Sequence, residues 1–290
     1  MTACSARVSD VVFRDAGMAS ISTSQRFHVS MEGYKEQFRI DIAVPATPIP
    51  PGKKLPVIYV LDGAWSFAVT VQAARALAVG PGAIPQAIVV GIGPAIDGPA
   101  GFAATTALRY RDLAPGVDEA HIAQMKTALP AQFWPADSEL GGAARFFRFI
   151  ETELKPFVEA YFPVDTSDQT LVGVSLGGLF VLNTLFTAPG SFQRHVAVSP
   201  SIWWNGCAIE DREADAAMLG GVRARLFLGV GELEEGQAPE ARMVSNLTDM
   251  ADRLKAWPGL VVSSHVFEGE GHMSVPPAAI SRGLRAVFAN

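Results

Sequence analysis

At 290 residues, with 49% hydrophobic and 18% charged side chains, the chain is long enough to bury roughly three-quarters of its unfolded surface without disulfide or metal staples. A formal charge of −6 and the lack of a dense Lys/Arg stripe argue against a phosphate-backbone partner, so no nucleic-acid role is expected. No uninterrupted apolar run of about 18 residues occurs, and the first 30 residues, with Asp10, Arg14 and Asp15 among polar neighbours, hold no apolar stretch of signal-peptide length; no membrane contact and a cytoplasmic location are expected.

In chain order, "FRIDIAVP" at 38 to 45 alternates apolar and polar residues and predicts an antiparallel edge strand. "LPVIYVLDG" (55 to 63) and "QAIVVGIG" (86 to 93) are continuous aliphatic runs, the pattern of parallel strands buried on both faces, with a helical stripe at 65 to 79 between them. From about 94 to 140 the rhythm breaks at Pro94, Gly98, Pro99, Gly101, Pro115, Gly116, Pro130 and Pro135, with one short helical stretch near 118 to 129; so long a connection predicts a lid or binding loop. In "GAARFFRFIETELKPFVEAYF", Phe146, Phe147, Ile150, Leu154, Phe157, Val158 and Tyr161 form one helical stripe. "QTLVGVS" (169 to 175), "HVAVSPS" (195 to 201), "ARLFLGVG" (224 to 231) and "LVVSSHVFEG" (260 to 269) complete the strands, with helical stripes at 178 to 187, 240 to 256 and 278 to 288. Strands alternating with helices predict a single α/β domain over residues 1–290 on a largely parallel sheet.

Cys4 and Cys207 form no C-x-x-C pair and read as free thiols, and the histidines form no H-E-x-x-H, so no metal or cofactor is expected. "GIGPAI" at 91 to 96 has Pro94 and Ile96 where a dinucleotide fingerprint wants a helix start and a third glycine. The chemistry falls instead on "LVGVSLGG" (171 to 178), where Ser175 stands between a strand and a helix, flanked by Gly173, Gly177 and Gly178, as a nucleophile elbow requires.

A serine hydroxyl needs a base, and His272 in "FEGEGHMSVP" lies on the loop after the last strand, where a Ser, acid, His chain order puts it. The acid that orients the imidazole belongs on the loop after the preceding strand, "LFLGVGELEEG". Counted as G-x-x-acid from Gly231 it is Glu234; Glu232 is the rival, and Glu235 fits a solvated position. Backbone amides for a developing oxyanion would come from Leu176, after the serine, and from Ala64, after the strand that stops at Leu61 and turns at Asp62-Gly63.

Together "VIYVLDG", "RYRDLAP", "GGAARFFRFIETELKPFVEAYF", "GVSLGGLFVL", "SPSIWWN", "GELE" and "GEGH" resemble the esterase D and enterochelin-esterase-like family of α/β-hydrolases, from about residue 38 to the C-terminus. The resemblance implies an α/β-hydrolase fold with an antiparallel N-terminal edge, and a serine esterase acting on a small-molecule ester through an acyl-enzyme. It also implies that Arg109 of "RYRDLAP" and Trp203 and Trp204 of "SPSIWWN" stand near the site; the alternatives are that Arg109 ties the long loop down through Asp112 and that the tryptophans are core. Relatives acting on siderophores cleave catechol triesters, for which a cationic and aromatic pocket is suited. The long loop here offers Arg109, Arg111 and Lys126 and no richer cluster, which leaves open a siderophore or another small ester. The same serine site would also serve an acyltransferase, and the same scaffold a non-catalytic binding protein.

Overall fold

The computed structural model describes residues 20–289 apart from 80–82, 97, 99, 100, 220 and 221, with the backbone alone of 5–8, 11–14, 218 and 219. Cys4, Asp10, Asp15 and Pro99 lie outside the described residues. A hairpin of β1 (Ser5–Val8) and β2 (Val11–Arg14) is separate from the main sheet. The main strands are β3 (Ser24–Val29), β4 (Phe38–Ala43), β5 (Leu55–Leu61), β6 (Ile88–Pro94), β7 (Val164–Val174), β8 (Arg194–Val198), β9 (Ala224–Gly231) and β10 (Leu260–Phe267). They join in the order β10-β9-β8-β7-β5-β6-β4-β3, parallel from β10 to β6 and antiparallel at β4 and β3.

Helices α1 (Gly63–Leu77), α2 (Gly101–Asp112), α3 (Glu119–Ala128), α4 (Ala143–Phe149), α5 (Lys155–Tyr161), α6 (Leu176–Thr187), α7 (Trp204–Cys207), α8 (Ile209–Leu219), α9 (Glu234–Gln237), α10 (Met243–Leu254) and α11 (Pro276–Phe288) flank the sheet. Strand alternation sorts the core into two layers. Ile58, Val60, Val172, Val196 and Val198 pack against Phe67 and Val71 of α1 and Ile280 and Leu284 of α11. Val57, Tyr59, Leu61 and Leu171 face the other side, with Phe146, Ile150, Val158, Phe180 and Leu247. Because every residue from Leu176 to Phe186 is buried, α6 is held on all sides, which suits a helix that must fix the turn before it.

The chain runs from β5 to β6 in one direction and from β7 through β8 and β9 to β10 in the other. The crevice outside the carboxyl ends of β5 and β7 is therefore the switch point where open α/β sheets bind ligands. Four loops leave the sheet at these carboxyl ends, after β5, β7, β9 and β10, and they carry Asp62, Ser175, Glu234 and His272.

Sequence and structure part in four places. The strand at 38 to 45 is antiparallel but interior: β4 lies between β6 and β3, with all six residues buried. Its polar alternates are neutralised charges, since Asp41 accepts from Arg26 Nε of β3 at 2.7 Å and lies 3.2 Å from Arg39 Nε. Conversely β10, whose aliphatic run suggested an interior strand, forms the opposite edge, and Val261 is exposed. The 94–140 segment holds α2 as well as the helix expected near 118 to 129. Tyr161, counted in the apolar stripe, is exposed at the end of α5, although Val158 of the same helix is buried; a π turn at Ile150–Leu154 separates α4 from α5.

Candidate active site

Ser175 follows β7 with φ 60° and ψ −119°, a region costly for a residue with a Cβ and kept only where surrounding structure imposes it. Three backbone bonds impose it here: Ser175 N donates to Val198 O at 2.9 Å, and Leu179 N and Ser201 N donate to Ser175 O at 2.9 and 3.2 Å. The neighbouring glycines serve close approach rather than unusual dihedrals. A Cβ at Gly173 would lie 2.2 Å from Gly177 O, and one at Gly178 would lie 2.9 Å from Pro200 Cα. The helix thus starts against its own strand and against the β8 loop, with the Leu176 amide heading α6.

After β5, Asp62 takes a left-handed conformation, φ 54° and ψ 48°, and its carbonyl accepts from Trp65 N and Ser66 N at 2.9 and 3.0 Å. The Gly63 and Ala64 amides, which precede those donors in the chain, open α1 without an intrahelical acceptor. The Asp62 carboxylate is buried and gripped by Arg109 of α2, Nε to Oδ1 at 2.9 Å and Nη2 to Oδ2 at 3.1 Å. Arg109 Nη2 also donates to Val174 O at 2.9 Å. Asp112, the alternative partner for Arg109, is bound instead by Arg111, at 2.8 and 3.0 Å.

The three glutamates after β9 have separate partners. Glu234 is buried; its Oε2 accepts from His272 Nδ1 at 2.6 Å, and its Oε1 accepts from Ser199 Oγ at 2.6 Å and from Gly231 N at 2.8 Å. Burial pushes the Glu234 carboxyl up, but the hydrogen bonds from His272, Ser199 and Gly231 outweigh it and hold it below the ordinary carboxylate value. Glu232 holds the neighbouring loop by accepting from Gly269 N at 2.9 Å. Glu235, rather than being merely solvated, accepts from Val244 N and Ser245 N at the start of α10, at 2.7 and 3.1 Å. With Nδ1 bonded to Glu234, Nε2 is the nitrogen of His272 available to the cavity.

That cavity, about 300 Å³, is lined by Ser175, His272, Asp62 and Arg109 and by an apolar wall that includes Trp65, Val69, Phe102, Met273 and Ile280. Trp65 and Phe102 lie 5.3 Å apart, with the Arg109 guanidinium 5.5 Å from the Trp65 ring centre. Trp203 and Trp204 stand apart from it. Trp204 is buried, donates from Nε1 to Gly116 O at 3.1 Å and stacks on Tyr110 at 5.6 Å, while Trp203 packs 5.0 Å from His121. Sequence reasoning missed Asp62 as Arg109's partner, Ser199, and the Trp65, Phe102 and Met273 wall. The "SPS" of "SPSIWWN" and the Asp before Gly63 were the only signals.

A serine at a strained strand-to-helix turn, lining one cavity with a carboxylate-bound histidine at the carboxyl end of a parallel sheet, fits the α/β-hydrolase class of ester hydrolases. The family model "Putative esterase" matches residues 112–272. The chain is 37% identical over 265 residues to ferri-bacillibactin esterase BesA of Bacillus subtilis, covering 89% of this chain and 86% of that protein. A siderophore triacetylfusarinine C esterase of Aspergillus fumigatus is 31% identical over 257 residues, covering 81% and 82%. The crystal structure of the BES protein from Bacillus cereus superimposes with a TM-score of 0.79 at 32% identity, covering 95% of this chain and 98% of that one. The chain belongs to this esterase family, and its activity is hydrolysis of a carboxylic ester rather than acyl transfer or binding alone. Among the described residues no helix is long and apolar enough to cross a membrane.

Proposed function

We propose that Ser175 Oγ attacks the ester carbonyl while His272 Nε2 takes its proton, with Glu234 holding the imidazole in the required tautomer and stabilising its charged form. The amides of Ala64 and Leu176 receive the developing oxyanion. Collapse of the tetrahedral intermediate expels the alcohol, protonated by His272, and leaves an acyl group on Ser175. Water activated by the same imidazole then releases the acid. The Glu234 to His272 contact of 2.6 Å, beside a cavity that His272 shares with the strained Ser175, carries this reading.

For the substrate we infer a small ester of siderophore type, on the strength of relatives that act on ferri-bacillibactin and triacetylfusarinine C. The cavity, about 300 Å³, falls at the lower end of the range of small-molecule sites. We read residues 1–290 as one hydrolase domain and the 94–140 segment as its cover, because α2 contributes Phe102 and Arg109 to the cavity wall. The test is turnover of p-nitrophenyl acetate and of the two siderophores by the wild type and by Ser175→Ala. The variant is expected to lose about 10^5-fold in kcat with an unchanged melting temperature. Undiminished hydrolysis would remove Ser175 from the mechanism.

A further inference from the structure

Arg109 is the cation of the cavity wall, and its Nε and Nη2 donors are spent inside the protein. Nε and Nη2 clasp the two oxygens of Asp62, and Nη2 reaches the carbonyl of Val174. Asp62 immediately precedes the Gly63-Ala64 amides, and Val174 immediately precedes Ser175. One guanidinium therefore joins the two loops that supply the two sides of the reacting centre. Asp62 sits in a left-handed conformation, so the direction of the amides after it depends on what holds its side chain. The Arg109 charge is matched by the Asp62 carboxylate it binds. The pair presents no net positive charge to the cavity, whose lining beyond Ser66, Ser175 and His272, including Trp65, Val69, Phe102, Met273 and Ile280, is apolar.

We infer that Arg109 is a positioning residue that sets the oxyanion amides of the β5 loop against Ser175, and not the counter-ion of an anionic substrate. This rests on the esterase mechanism above and adds to it a residue that acts without touching the ester. Only a planar fork can clasp both carboxylate oxygens and still reach a third acceptor, so lysine is not an equivalent. A misdirected oxyanion donor weakens transition-state binding while leaving ground-state binding alone, which places the effect in kcat rather than KM.

The test compares wild type, Arg109→Lys and Arg109→Met on two esters, neutral p-nitrophenyl butyrate and the anionic mono-p-nitrophenyl ester of succinic acid. Arg109→Met is expected to lose about 100-fold in kcat, the scale of a lost oxyanion donor, by the same factor on both esters and with KM held within about twofold. Arg109→Lys is expected to lose about tenfold in the same pattern, because the charge stays and the fork goes. Thermal melting controls for folding. Should Arg109→Met fail to fold with Asp62 left unpaired, Arg109→Lys and the neutralised pair Asp62→Asn with Arg109→Gln carry the comparison, the latter folding but still slow in kcat. A rise in KM confined to the anionic ester, or an unchanged kcat on both, would overturn the inference while the wild type remained an esterase. A wild type inactive on both esters would overturn the esterase mechanism itself and this inference with it.

Discussion

Two sets of polar side chains are buried in the same sheet and treated in opposite ways. At the carboxyl ends of the strands the buried carboxylates Asp62 and Glu234 both have partners: Asp62 with Arg109, and Glu234 with His272, Ser199 and the Gly231 amide. In the middle of the sheet, Tyr59, Leu171 and His195 stand in register across β5, β7 and β8. There the Tyr59 hydroxyl and both ring nitrogens of His195 are buried without a hydrogen-bond partner. Neutral groups tolerate that at a cost in stability, whereas charges do not. Burial, with a smaller contribution from the Lys155 charge, pushes the His195 pKa down to about 3, so this histidine stays neutral. In the proposed mechanism the preorganised charge at the strand ends serves the reaction, whereas the unpaired groups of the interior have no part in it.

The contrast breaks most sharply at the histidines. His272→Ala is expected to cost about 10^5-fold in kcat on p-nitrophenyl acetate, since triad members fail as a unit, with no fall in melting temperature. Glu234→Gln should cost about 10^4-fold in kcat, because an amide bonded to Nδ1 favours the wrong tautomer; steady-state kinetics with a melting control measures both.

The interior histidine should behave in the opposite way, sensitive in stability and silent in catalysis. A histidine whose folded pKa lies below its unfolded value refuses a proton that the unfolded chain accepts. The stability present above about pH 6.5 is therefore lost as the pH falls toward 3, by about 2 kcal/mol at pH 5. Urea unfolding at pH 7 and pH 5 measures this, and His195→Leu should flatten the difference while leaving kcat within about twofold at pH 7. The smallest effect is expected at Ser199→Ala, which removes one hydrogen bond to the Glu234 carboxylate and should lower kcat about tenfold. An equal loss of stability without a loss in kcat would move Ser199 to the structural side of the comparison.

Ser175, Glu234 and His272 were legible as candidates because each lies just after a strand whose aliphatic run is local, and the glycine-flanked turn, the spacing from Gly231 and the chain order singled them out. The choice of Glu234 over Glu232 followed from a spacing, and the structure gives each glutamate its own partner. Arg109 was visible as a motif but its partner was not, since Asp62 lies 47 residues away and the contact is purely tertiary. Helix α2 escaped notice because its sequence, "GFAATTALRYRD", carries a weak apolar stripe and begins amid Gly and Pro signals; packing of Ala104, Ala107 and Leu108 stabilises it instead. The sheet edges were misassigned for a related reason: Arg39 and Asp41 look like solvent-facing alternates until the strand that covers them supplies Arg26.

The central claim is that Ser175 is the residue that becomes acylated. A neutral fluorophosphonate, reacted with the wild type and followed by peptide mass spectrometry, reports that directly, because the phosphonyl group stays on the nucleophile. The account predicts a single adduct on the peptide containing Ser175, with loss of esterase activity in proportion to labelling and no adduct in Ser175→Ala. An inhibited enzyme labelled at another residue, or an active one that takes no label at Ser175, would contradict it.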